Sequence, residues 1–104
     1  MSTRRSFDPE VLATLRDMPV IDVLDLLDRK GQLTWRQDHD FRPVKDTRTL
    51  RVVISPSTGP VLELLATGPK WFDSRAGRGG GGAVDLAMHL FGQDFVGAVK
   101  LLTH

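Results

Sequence analysis

The feature that most constrains this chain is a double change in hydrophobic period. Val20, Val23, Leu24 and Leu27 recur at the i, i+3, i+4, i+7 spacing of a helix buried on one face. In the segment 48–55 (RTLRVVIS), Leu50, Val52 and Ile54 instead alternate with Arg51 and Val53, the period-two pattern of a strand rich in β-branched residues. The helical period then returns, with Ala83, Leu86, Ala87, Leu90 and Phe91 on one stripe and Phe95, Ala98, Val99 and Leu102 on another. A strand pattern enclosed by helical ones specifies an α+β fold. The expected form is a small antiparallel sheet of three to four strands, flanked by an N-terminal and a C-terminal helix pair.

Local signals place the boundaries. Asp8 followed by Pro9, after Ser6-Phe7, marks a helix start, because Asp accepts from free N–H groups and Pro fits the first helical position. A first helix is expected over 9–17, broken at Met18-Pro19, and a second ends before Gly31. Strands are expected at 33–36, 48–55, 61–66 and 70–73, with Gln37 to Thr47 a polar loop containing Pro43. The chain reads as one domain over 1–104, an N-terminal helical extension at 1–18 preceding a main body at 19–103. Asp22, Asp25 and Asp28 repeat every three residues, which reads as a solvated helix face rather than a metal site.

Five of the six residues from Gly77 to Gly82 are glycine, and Arg75 and Arg78 stand at the start of this run. The run is expected to be a loop leading into the helix at 83–91. Three readings compete. The string satisfies GxGxxG, but a dinucleotide site needs a second parallel strand and a later acid, whereas here another helix follows. No Lys-Ser or Lys-Thr makes it a P-loop. Two readings stay open: Arg75, Arg78 and the helix N-terminus bind an anion, or the glycines only permit a tight crossing between sheet and helix. Asp85, in the first turn, competes for the same N–H groups.

Composition excludes several classes. The chain has no cysteine, so disulfides and thiolate metal sites are ruled out, and three scattered histidines (His39, His89, His104) make a poor zinc set. No metal or cofactor is expected. No apolar run reaches membrane-spanning length, which points to a cytoplasmic protein without membrane contact. Net charge is only +1, yet residues 29–82 carry ten basic against five acidic side chains, a basic island able to attract phosphate backbones. No nucleophile, paired carboxylate or His-containing triad stands out, so catalytic residues are expected to be absent and the chain is not read as an enzyme.

The order of a helix ending at Gly31, a small sheet, Trp71-Phe72, the glycine run and the AVDLAM and FVGAVKLL helices resembles the N-terminal zinc-ribbon domain of bacterial primases. It is more similar still to zinc-less relatives of that domain, which precede Toprim modules in plasmid and mobile-element proteins. The likeness covers about 19–103 and is most specific from Trp71 onward. Where the primase domain carries its Cys-x-x-Cys pair near the glycine run, this chain has Trp71 to Arg75, and its earlier ligands are missing around Trp35 to Arg42. The resemblance therefore implies a ribbon without zinc, its metal replaced by packing of Trp35, Trp71 and Phe72. It also implies an accessory DNA-binding role in replication or mobile-element maintenance, with polymerisation left to a separate domain.

The functional expectation is binding of nucleic acid, single-stranded DNA first. Arg36, Arg42, Lys45, Arg51, Lys70, Arg75 and Arg78 would track phosphates, Gly79 and Gly80 would allow close approach, and an exposed Trp35 or Trp71 would stack on a base. The competing expectation is a protein-interaction module that docks a primase, helicase or relaxase-type partner without touching nucleic acid.

Overall fold

The structure is a computed structural model that describes residues 8–104. Ser6 and Phe7, part of the expected helix start, lie outside the described residues. The described residues form four helices and one five-stranded antiparallel sheet, in the order α1 (Pro9–Asp17), α2 (Val20–Arg29), β1 (Leu33–Gln37), β2 (Leu50–Pro56), β3 (Leu62–Thr67), β4 (Lys70–Asp73), β5 (Arg78–Gly81), α3 (Ala83–Phe91) and α4 (Phe95–Thr103). The class is α+β, as the change of period requires.

The helix ends follow their residues. Asp8 caps α1 by accepting from the Glu10 amide at 2.9 Å. Asp94 does the same for α4 through the Gly97 amide at 2.8 Å. Gly92 ends α3 with φ +63°, a left-handed conformation that glycine adopts without a Cβ clash. Between Lys30 and β1, Gly31 takes φ +74°.

The strands are a simple meander, β1-β2-β3-β4-β5, each pairing with the next. Alternation divides their side chains between two faces. One face, carrying Trp35, Val52, Ile54, Leu64, Ala66, Trp71 and Asp73, lies against the helices; Val52, Ile54, Leu64, Ala66 and Trp71 join Val23, Leu24, Leu27, Leu86, Ala87, Ala98 and Leu102 in the core, and Trp35 packs against it. Leu15 brings α1 into the same core. Truncating a fully buried leucine here to alanine should cost about 2–5 kcal/mol.

The strand ends shift by one or two residues from expectation: β1 runs on to Gln37, β2 to Pro56, and β3 spans Leu62–Thr67 rather than 61–66. β2 begins at Leu50 rather than Arg48, because Asp46 holds the preceding turn: its Oδ1 accepts the Arg48 amide at 2.9 Å and its carbonyl the Thr49 amide at 3.0 Å. The glycine run is not a loop. Arg78–Gly81 is a fifth strand, registered Asp73↔Arg78, Phe72↔Gly79, Trp71↔Gly80 and Lys70↔Gly81. Glycine has low strand propensity, so its use here follows from space: a Cβ on Gly80 would collide with Asp85 Oδ2 and lie 3.0 Å from Trp71 Cζ2.

Candidate functional site

Among the described residues, no helix lies over the second face of the sheet. Register places three rows there: Arg36, Val53 and Glu63; then Arg51, Leu65, Phe72 and Gly79; then Thr67, Lys70 and Gly81. Val53 and Leu65 are half-buried, while Phe72, on β4 between Leu65 and Gly79, is 44% exposed. An apolar strip with an exposed aromatic ring is thus bordered by the cations Arg36, Arg51 and Lys70. The segment 41–49 folds over one end of this face, where Phe41, Pro43, Lys45 and Thr49 join Leu65, Thr67, Lys70 and Phe72 around a cavity of about 840 Å³.

The cations are not equivalent. Arg51 is bound to Glu63 through Nη2 and lies 4.0 Å from Asp38, so much of its charge is matched on the protein. Its partnership with Glu63 holds that carboxyl below its ordinary range. Arg48 is likewise paired with Asp46 at 2.8 Å, an exposed contact whose side-chain and backbone hydrogen bonds lower the Asp46 pKa to about 2. Arg42 donates to the carbonyls of His39 and Phe41 at 3.0 and 3.3 Å, which shapes the 38–42 turn. Arg36, Lys45 and Lys70 are exposed and have no ion-pair partner among the described residues.

On the helix-facing side, a polar cluster replaces part of the apolar core. Asp73 is 3% exposed. Its Oδ1 accepts the Arg75 and Ala76 amides, both at 3.1 Å, and its Oδ2 accepts from His89 Nε2 at 2.8 Å. An ionised carboxylate can only accept, so Nε2 of His89 carries the proton. Burial pushes the Asp73 carboxyl up, but the His89 hydrogen bond, the Ala76 amide, the His89 charge and the Arg75 amide together hold it below its usual value. Trp71 stacks on the His89 ring with centroids 4.6 Å apart and planes inclined by 27°. Its buried Nε1 has no hydrogen-bond partner among the described residues. This Asp–His pair ties β4 to α3, and no serine or threonine hydroxyl among the described residues hydrogen-bonds to the imidazole.

The expected site residues therefore separate into groups. Arg36, Arg51 and Lys70 share the open face, with Lys45 at its end and Gly79 beside Phe72. Arg75 lies in the β4–β5 turn and helps line a second cavity with Arg51, Glu63 and Phe41. Arg78 and Gly80 occupy helix-face register positions, opposite Asp73 and Trp71, so Arg78 does not join Lys70. Trp71 is 4% exposed and offers no stacking surface; Trp35 is half-buried and donates from Nε1 to Asp25 Oδ1 at 3.2 Å. No side chain caps α3 itself, but the two amides that lead into it are taken up. Asp85 Oδ2 accepts the Gly81 amide at 3.0 Å, Pro69 O accepts the Gly82 amide at 3.0 Å, and a Cβ on Gly82 would lie 3.1 Å from the Arg16 backbone.

Phe72, expected in the packing that replaces the metal, is instead exposed. The signal was present, since Lys70 and Phe72 alternate with Trp71 and Asp73, and a lysine beside the ring marks the wet side of the strand. No helix among the described residues is long and apolar enough to cross a membrane. No three His, Asp or Glu side chains among them gather as metal ligands would.

No family model matches the chain, and no solved structure matches it. It is similar to the "65 kDa protein" of Zymomonas mobilis subsp. mobilis, at 33% identity over 94 residues. That alignment takes in 86% of this chain but only 12% of the other protein, so the chain spans a small part of its curated relative.

Proposed function

We propose that the chain is an accessory module that binds single-stranded nucleic acid, DNA first, across the open face of its sheet. The observation that carries this reading is the exposed Phe72 beside Leu65 and Val53 on a face that no described helix covers, bordered by Arg36 and Lys70, which no described acid neutralises. An aromatic ring on a flat sheet surface accepts a base face whatever its sequence, and cations on either side follow the backbone. A duplex hides its base faces in the stack, so this surface favours single strands.

The same reading makes the chain a zinc-less relative of the primase ribbon domain, acting in the cytoplasm beside replication or mobile-element enzymes and doing no chemistry itself. Two observations support it. The β4–β5 hairpin is closed where the resemblance puts zinc ligands, and there Asp73, His89 and Trp71 supply a hydrogen-bonded and stacked cross-link between sheet and helix. The likeness to a 12% stretch of another protein also fits a module carried by longer chains.

The test is fluorescence-anisotropy titration of a labelled single-stranded oligonucleotide at two salt concentrations, with duplex and RNA competitors. Binding at micromolar strength or tighter that weakens steeply with salt and resists duplex competition is the expected result. No binding at low salt would move the function to docking of a protein partner.

A further inference from the structure

The cavity at the end of the open face has a chemistry that the strip itself lacks. Phe41, Pro43, Leu65 and Phe72 give it apolar walls. Within that lining, Thr49 and Thr67 hydroxyls bond to each other at 2.7 Å, half-buried, and either can be the donor. One hydroxyl hydrogen closes the pair and the other remains for a ligand, as do oxygen lone pairs, so the pair can donate or accept. Lys45 and Lys70 stand in the lining as cations without ion-pair partners among the described residues, whereas Arg48 there is neutralised by Asp46. The cavity's charge is therefore positive. About 840 Å³ lies within the range of pockets that hold small ligands.

Apolar walls that include two phenylalanines, a reversible donor–acceptor pair and two free ammonium groups match one kind of occupant. We propose that this cavity takes a single unstacked nucleobase of the bound strand, with its edge on the Thr49–Thr67 pair and the adjoining phosphates on Lys45 and Lys70. This rests on the open face being the nucleic-acid surface, and adds to it a base-dependent contact beyond strip stacking and phosphate tracking. Because the hydroxyl pair can turn either way, it rewards the presence of a base more than its identity.

The experiment compares the full chain's affinity for oligo(dT) and for an all-abasic deoxyribose-phosphate strand of equal length, in wild type, Phe41→Ala and the double variant Thr49→Val/Thr67→Val. Thermal melts establish that each variant is folded; the threonine pair is replaced by an isosteric one, so its loss tests the hydroxyls without opening a hole. Wild type should prefer the base-bearing strand by well over the roughly fivefold of one stacked base, since the Phe72 strip and the cavity each engage a base. Both variants should cut that preference several-fold while leaving the salt dependence unchanged. Folded variants with an undiminished preference would overturn the pocket and leave the open-face reading standing. Failure of wild type to bind either strand would overturn both.

Discussion

Phe72 and Trp71 are neighbours in sequence with opposite fates, and the proposed function depends on which is which. Phe72, nearly half exposed, adds little to the core, so Phe72→Ala should leave the melting temperature almost unchanged. The same substitution should lower affinity for single-stranded DNA by roughly fivefold or more, as loss of one stacked base does. Trp71→Ala should instead cost about 3–5 kcal/mol of stability, the usual range for emptying an aromatic core position, which a urea melt would read. Asp73 makes a different prediction. Its folded-state pKa lies below its ordinary 3.8, so the stability it contributes is present above that value and is lost as pH falls through the lowered one. Urea midpoints should therefore drop in wild type as pH falls below about 5. In Asp73→Asn the protein should be weaker at neutral pH and that drop shallower; parallel curves for the two would refute the assignment.

At the level of the element, β5 is the instructive strand. Its glycines are not interchangeable. A methyl group on Gly80 would displace the Asp85 carboxylate, which holds the Gly81 amide, and press on Trp71; on Gly81 it would meet nothing within 4 Å, at an ordinary backbone angle. Gly80→Ala should destabilise by about 1–3 kcal/mol, as overpacking does. Gly81→Ala should be neutral or stabilising by up to about 1 kcal/mol, since it restricts the unfolded chain. Denaturant melts of the two variants would show the contrast.

The same strand marks how far sequence could reach. The helices were legible because Val23, Leu24, Leu27 and their counterparts in α3 and α4 repeat at one period, and Asp8, Asp94 and Gly92 mark their ends. β2 was legible because Val52 and Ile54 alternate. β5 was not, because a residue without a side chain has no hydrophobic period; only its pairing with β4 makes it a strand. The site was half legible for a related reason. Composition located the cations but not their faces, and it could not show that Arg51 and Arg48 are matched by Glu63 and Asp46.

In the molecule as a whole, the described helices cover one side of a meander and only the 41–49 segment reaches over the other, so the two sides should respond differently to charge removal. Replacing Arg36 and Lys70 by alanine should reduce the slope of log affinity against log salt by about 0.7 for each phosphate no longer neutralised. Arg78→Ala, on the helix-facing register, should change the slope little. The most direct measurement is a ¹⁵N-labelled NMR titration with oligo(dT), following backbone amides across the sheet. Binding across the open face predicts shifts concentrated at Arg36, Leu65, Lys70 and Phe72, with Asp85 and the rest of α3 unmoved. Shifts centred on the start of α3 and the helix side, or none at saturating oligonucleotide, would contradict it.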